Sequence, residues 1–287
     1  MFVDSHIHLT HNLFDGEVPC IDSAKSDDRI IDKDRDALMN AIKDAGVEFC
    51  IEPGIELESN DKILQYAKKY PDFLYAAVGV HPTRAPQTKW KKRKELEELS
   101  NNPYVVAIGE LGLDYHYERM KQHRIRQKMW FIWQLLLADR RQLPLILHIR
   151  LADEDAIRIL RRYKKRIHGG VCHCFKGGIE TAKIYTEEFG LMLGIGGALL
   201  QEDCKELEKT VRNIPLEYLL LETDGPYVKP DKPDNVTGKQ WKKARNTSLI
   251  IPDVAARIAE VKEIDVTEVE KVTNDNAKRL FGINMKN

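Results

Sequence analysis

Eight short apolar runs alternate with longer amphipathic segments along this chain, and this alternation limits the possible folds more than any other feature. Short apolar runs bounded by turn residues indicate buried parallel strands. We predict strands at residues 2–4, 47–51, 74–80, 104–109, 143–147, 170–172, 191–195 and 218–221. A helical segment follows each of them, as in 32–45, where Ala37, Leu38, Ala41 and Ile42 recur at helical spacing.

Eight strand–helix repeats predict an α/β protein with a (β/α)8 TIM barrel, as a single domain over residues 1–287. Two helices, at 251–263 and 267–280, follow the last strand and close the chain. The alternative is a doubly wound open sheet, which has fewer strands at this length and a glycine-rich first turn. Because no Gly-x-Gly-x-x-Gly follows the first strand, we favour the barrel.

The composition excludes several classes of protein. Hydrophobic residues make up 43% of the 287, enough for a large core, but the most apolar run, 129–138, is too short to cross a membrane. The 45 basic and 45 acidic residues balance, so any attraction to nucleic acid must be local. Five cysteines argue against a disulfide framework. We predict a cytoplasmic protein that has no membrane partner and is compatible with a monomeric state.

Polar residues of one chemical kind stand at the ends of the predicted strands. His6 and His8 have the i, i+2 spacing that places two side chains on one face of a strand. The further strand-end residues are His81, Glu110, His148, His173 and Asp224. Each alone has an ordinary structural explanation, such as a turn cap or an Asp-Gly turn. In a barrel, however, the carboxyl ends of the strands form the active site.

Imidazoles and carboxylates at one end of a barrel predict bound divalent metal ions. These ligand types suit Zn, Mn, Fe, Co or Mg, and even six of these residues exceed what one tetrahedral ion needs. Two ions that share one carboxylate are therefore the economical arrangement. Two such ions clamp the attacking and leaving oxygens of a phosphodiester displacement.

A set of motifs in fixed order carries a resemblance to a known family. They are Asp-Ser-His-Ile-His (4–8), Val-Gly-Val-His-Pro (78–82), Gly-Glu-Leu-Gly-Leu-Asp-Tyr (109–115), Leu-His-Ile-Arg (147–150), His-Cys-Phe-Lys-Gly (173–177), Leu-Glu-Thr-Asp-Gly-Pro-Tyr (221–227), Arg-Asn (245–246) and Asn-Ala-Lys-Arg-Leu-Phe-Gly (276–282). Together they resemble the TatD-type metal-dependent hydrolases, deoxyribonuclease-like members of the amidohydrolase superfamily. The resemblance extends from residue 1 to about residue 282.

The resemblance implies a TIM barrel with two divalent ions and assigns a role to each ligand. The first ion would be held by His6, His8 and Asp224, and the second by His148 and His173. Glu110 would bridge the two ions, and Glu110 and Asp224 would be the catalytic residues, with Asp224 accepting a proton from the attacking water. The expected reaction is hydrolysis of phosphodiester bonds at DNA ends.

Four residues are candidate substrate contacts: His81, Arg150, Tyr227 and Arg245. The sequence departs from the common family pattern at Leu151, where aspartate is usual, and at Thr247-Ser248, where Glu-Pro is usual. An acidic insertion at 14–29 and a loop at 225–246, both predicted to be irregular, adjoin the expected site. These departures leave the substrate open between DNA and an aminoacyl ester, amide or lactone, and a non-catalytic protein with a structural metal is a third alternative.

Overall fold

The fold was analysed in a computed structural model, which describes residues 1–22, 30–116 and 122–283. Its strands are β1 Phe2–Asp4, β2 Val18–Ile21, β3 Ile30–Lys33, β4 Val47–Pro53, β5 Leu74–Val78, β6 Val105–Asp114, β7 Leu145–Arg150, β8 Gly170–Cys172, β9 Met192–Ile195 and β10 Leu219–Leu221. Eight of them form one sheet in the order β1-β4-β5-β6-β7-β8-β9-β10, and β2 pairs with β3 in an antiparallel hairpin. β10 lies beside β1, where the Ser5 N–H donates to the Leu221 carbonyl over 2.9 Å.

The helices follow the strands in alternation. They are α1 Arg35–Asp44, α2 Leu57–Lys69, α3 Arg93–Leu99, α4 Arg124–Arg141, α5 Asp153–Arg162, α6 Ile179–Lys183, α7 Lys205–Asn213, α8 Gly238–Lys243, α9 Ile251–Lys262 and α10 Val266–Phe281. Parallel strands that are neighbours both in sequence and in the sheet require such helical crossovers. The predicted (β/α)8 barrel is therefore confirmed.

The structure corrects several predicted boundaries. β6 continues through Glu110 to Asp114, and β7 continues through His148 to Arg150, because these polar side chains belong to the strands rather than ending them. The predicted helix 32–45 begins at Arg35, since the Asp34 carboxylate accepts the Ala37 N–H and caps it there.

Two segments predicted to be irregular contain regular structure. The insertion at 14–29 holds β2, whose partner is β3, and residues 23–29 of that insertion lie outside the described residues. The loop at 225–246 holds α8, which begins with a capping box between Thr237 and Gln240. The hairpin and α8 are both too short to show a clear periodicity.

The described chain divides into two compact units. The first comprises Met1–Ile51, Cys174–Ala182 and Gly194–Ala277, and its core contains Phe14, Phe49 and Ile258. The second comprises Glu52–His173, Lys183–Leu193 and Lys278–Asn287, with Trp130 and Phe131 in its core. The single domain at 1–287 stays a prediction. None of the helices in the described ranges is both long and apolar enough to cross a membrane.

Candidate metal centre

The first ligand group consists of His6, His8 and Asp224, all within the first unit. The Nε2 atoms of His6 and His8 are 3.3 Å apart. They lie 3.7 Å and 3.5 Å from Oδ1 of Asp224, respectively. Both imidazoles are buried, and Asp224 is partly exposed. Three potential ligand atoms thus converge on one point.

Backbone hydrogen bonds beyond β1 bring this group together. β1 ends at Asp4, as predicted, and both histidines follow it, so the i, i+2 spacing of a strand does not account for their orientation. The His8 N–H donates to the Gly225 carbonyl over 2.8 Å, and the Asp224 N–H donates to the His6 carbonyl over 2.9 Å. The two segments that carry the ligands are therefore joined directly to each other.

The second ligand group consists of His81, Glu110, His148 and His173, all within the second unit. Oε1 of Glu110 lies 2.9 Å from Nδ1 of His148, 2.8 Å from Nε2 of His173 and 3.5 Å from Nε2 of His81. The sequence predicts His81 as a substrate contact only. In the structure it lies close enough to Glu110 and His148 to be a ligand as well.

Asp114 is a component of this site that the sequence reading missed. Its Oδ2 lies 3.1 Å from Nε2 of His148, the nitrogen on the opposite side of the ring from Glu110. A carboxylate in this position fixes the orientation of a metal-binding imidazole and increases its basicity. Because Asp114 is four residues from Glu110 on β6, the even spacing of a strand would have revealed it, had the strand been extended past Gly109.

Three buried amide side chains hold the strand ends of the second unit. Asn60 exchanges two hydrogen bonds with the backbone of Gly79, at 2.9 and 3.1 Å. Gln134 does the same with Val80, the residue before His81, at 2.7 and 3.1 Å. Gln127 likewise forms two hydrogen bonds with the backbone of Asp114, at 2.9 and 3.0 Å, and we call these three side chains the amide clamps. The spacing of apolar residues along the sequence does not predict these hydrogen bonds between side chain and backbone.

Burial and hydrogen bonding shift the pKa values of the second group in opposite directions. Burial lowers the pKa of His148, but the hydrogen bonds with Asp114 and Glu110 outweigh this effect and raise it to about 9. Burial lowers the pKa of His81 to about 3. Burial raises the pKa of Glu110, but the His173 imidazole and the hydrogen bonds outweigh it and hold the value well below the usual range. Without a bound metal ion, these shifts favour the ionised carboxyl of Glu110 and the protonated imidazole of His148.

The predicted substrate contacts differ in how closely they approach the ligand groups. The Tyr227 hydroxyl lies 3.0 Å from Nε2 of His11, and the Tyr227 ring is 6.4 Å from that of His8. Arg150 is exposed at the end of β7. Arg245 lies beside β2, where its backbone N–H donates to the Pro19 carbonyl over 2.7 Å. The substrate roles of these residues stay predictions.

The donor chemistry of both groups fits divalent metal ions. His148 Nδ1 and His173 Nε2 face each other at 3.0 Å, as the two Nε2 atoms of the first group do at 3.3 Å. Two ring nitrogens at such distances repel each other unless a proton or a cation lies between them. Neutral imidazoles with nearby carboxylates are the ligands that Zn, Mn, Fe and Co accept.

Comparison with known proteins agrees with this geometry. The family model for TatD related DNase matches residues 3–282. The chain belongs to the TatD family. It is therefore a metal-dependent hydrolase, as its sequence motifs indicated, and the family acts on phosphodiester bonds.

Individual TatD relatives match almost the full length. A protein described as the uncharacterized metal-dependent hydrolase YabD of Bacillus subtilis is 33% identical, over 99% of this chain and 100% of its own. A protein named 3'-5' ssDNA/RNA exonuclease TatD, from Edwardsiella piscicida, is 33% identical over 97% of this chain and 98% of its own.

Solved structures of the family share the fold. The structure of YJJV, a TatD homolog from Escherichia coli, superposes with a TM-score of 0.82 at 26% identity, covering 99% of this chain and 98% of that one. A TatD family hydrolase from Entamoeba histolytica gives a TM-score of 0.77 at 26% identity, covering 98% and 97%.

Proposed function

We propose that this protein is a two-metal exonuclease that hydrolyses phosphodiester bonds at the 3' ends of single-stranded DNA or RNA. The observation that carries the proposal is the convergence of imidazole and carboxylate atoms in two ligand groups of a TatD chain. Relatives named 3'-5' ssDNA/RNA exonuclease, at about one-third identity over most of the chain, support the substrate class and the direction.

Each ligand group would hold one divalent ion, of Mg, Mn, Zn, Fe or Co. His6, His8 and Asp224 would hold the first, and Glu110, His148 and His173 the second. Such ions polarise phosphoryl oxygens and lower the pKa of coordinated water. The sharing of Glu110 between the two ions stays a prediction, as do a monomeric state and a cytoplasmic location.

The remaining chemistry falls to side chains. Asp224 is more exposed than Glu110, which supports a role for Asp224 in accepting the proton of the water that attacks phosphorus. Tyr227, hydrogen-bonded to His11, would orient a phosphate oxygen beside the first group. Arg150 and Arg245 would contact neighbouring phosphates, because a guanidinium binds two phosphate oxygens at once.

A basic and aromatic surface at α8 supports a nucleic-acid substrate. Lys239, Lys242 and Lys243 are exposed on this helix. Lys229 Nζ lies 5.4 Å from the ring centroid of Trp241. Aromatic side chains among cations bind single strands through base stacking and phosphate attraction.

The test uses metal-free protein supplied with Mg²⁺ or Mn²⁺ and single-stranded DNA or RNA labelled at the 5' end. We expect a ladder of products shortened one nucleotide at a time. His148→Ala should reduce the rate by about 10²-fold or more, because it removes a ligand of the second group. His168→Ala, whose ring contacts Asp139 instead, is the matched control and should retain full activity.

A protein that binds metal but cleaves neither nucleic acid with any divalent ion would contradict the nuclease assignment. Aminoacyl esters, amides and lactones are tested in the same assays, because turnover of one of these would identify the alternative hydrolase reaction.

A further inference from the structure

We propose that Asp4 is a positioning residue for the first ligand group and that Ser248 helps to hold the Asp4 carboxylate in place. The inference rests on the proposed metal-binding role of His6, His8 and Asp224. It concerns how this chain holds those ligands in place, which the ligand set itself does not determine.

Asp4 is fully buried, and four donors surround its carboxylate. Oδ1 accepts the backbone N–H of His6 and that of Thr223, both over 3.1 Å. Oδ2 accepts the hydroxyls of Thr223 and Ser248, both over 2.7 Å. Thr223 and Ser248 lie 219 and 244 positions from Asp4 in the sequence, so the carboxylate joins segments that are far apart along the chain.

The two backbone donors are the link between Asp4 and the metal ligands. One belongs to His6 itself, and the other belongs to Thr223, which directly precedes Asp224. One carboxylate oxygen therefore adds a further connection between two ligand-bearing segments that backbone hydrogen bonds already join. A shift of this oxygen moves both segments, and ligand sites lose affinity when their atoms depart from the required geometry.

Ser248 supplies one of the two hydroxyls that contact the Asp4 carboxylate. Its Oγ donates to Oδ2 of Asp4 over 2.7 Å. Ser248 is itself held in place, because it is fully buried and its Oγ lies 3.7 Å from the Cys50 thiol. The neighbouring Asn246 donates to the Thr223 carbonyl over 2.8 Å and supports the same segment.

A structural role alone would predict a different result from a positioning role. If Asp4 only stabilised the fold, a folded variant would bind metal as tightly as the wild type does. If it positions ligands, a folded variant binds metal more weakly at the first group. Asp4→Asn is the informative change, since its side-chain oxygen can still accept the two backbone N–H groups, while its amide nitrogen replaces the oxygen that faces the hydroxyls.

The experiment measures metal affinity, not nuclease activity. All variants are made in a His148→Ala background, so that titration with Zn²⁺ or Mn²⁺ against a competing chelator reports mainly the first group. We expect Asp4→Asn to bind about 10–100-fold more weakly and Ser248→Ala to lie between it and the parent. Ser5→Ala is the matched control, because its buried hydroxyl donates to the Leu221 carbonyl instead of Asp4.

Circular dichroism establishes that each variant is folded before titration. Ser248→Ala keeps the test decisive if Asp4→Asn does not fold, because it removes one hydroxyl and leaves the carboxylate. Parent-like affinity in folded Asp4→Asn or folded Ser248→Ala overturns the role assigned to that residue. A wild-type protein that binds metal at the first group but cleaves no nucleic acid would overturn the exonuclease proposal alone. A parent that binds no metal there would overturn both.

Discussion

Replacement of Gln127 by leucine tests whether the buried amide clamps hold the metal centre. Gln127 is fully buried on α4 and makes two hydrogen bonds to the backbone of Asp114, at 2.9 and 3.0 Å. Leucine has a similar volume and no polar atom. The substitution therefore leaves both the N–H and the C=O of Asp114 without these partners.

The expected loss of stability follows from those two groups. A buried backbone group that loses its partner costs about 1–3 kcal/mol. Leucine recovers roughly 1–2 kcal/mol by burying apolar surface. We therefore expect the free energy of unfolding to fall by about 3 kcal/mol.

A second effect should follow at the metal centre, because Asp114 holds the His148 ring through its side chain. We expect the affinity of the second ligand group to fall by about 10–100-fold in the folded variant. Urea unfolding followed by circular dichroism in EDTA measures the stability, and chelator competition measures the affinity. Gln65→Leu, on the exposed face of α2, is the control for the substitution type.

A loss of stability below about 0.5 kcal/mol, together with unchanged metal affinity, would refute this reasoning. It would mean that water replaces the amide at the backbone of Asp114 and that the clamp does not determine the position of that residue.

Three further predictions concern other parts of the chain. The pKa of His148 is raised to about 9, so its imidazole is protonated below that pH and a metal ion must displace the proton to bind. The metal affinity of the second ligand group should therefore rise about tenfold per pH unit from pH 6 to pH 8. A metal affinity that does not change with pH in chelator titrations would contradict this. Burial raises the pKa of Cys20 to about 12, so iodoacetamide at pH 8 should leave it unmodified in the native protein while it modifies the partly exposed Cys174, as peptide mass spectrometry would show. Gly194→Ala would place its Cβ 1.9 Å from a carboxylate oxygen of buried Glu222 and should cost about 1–3 kcal/mol in urea unfolding, whereas Gly238→Ala, with open space around it, should cost much less.

Much of the fold was predictable from the sequence because its information is local. The apolar runs and the helical spacing identified eight strands in the correct order, with boundaries that mostly differ by a few residues. The errors in β6 and β7 have one cause: a polar residue facing the site was read as the end of a strand. The hairpin of β2 and β3 and the short helix α8 were missed because segments of this length carry little periodicity.

The candidate site was predictable in its residue types but not in its supporting contacts. The motifs named His6, His8, Glu110, His148, His173 and Asp224, and the structure brings them together in two groups. The role of Asp114 depended on the true length of β6. The four-donor environment of Asp4 depended on hydrogen bonds between residues 219 and 244 positions apart.

By itself, the amino-acid sequence determined the chain's fold class, its family and the chemical kind of its ligands, because strand and helix periodicity and motif order are properties of short segments. Only the tertiary structure decided which buried carboxylates and amides hold those ligands, and at what distances. The physical reason is that a buried polar group must find a hydrogen-bond partner wherever the fold places one. For Asp4, those partners include Ser248, which lies 244 positions further along the chain.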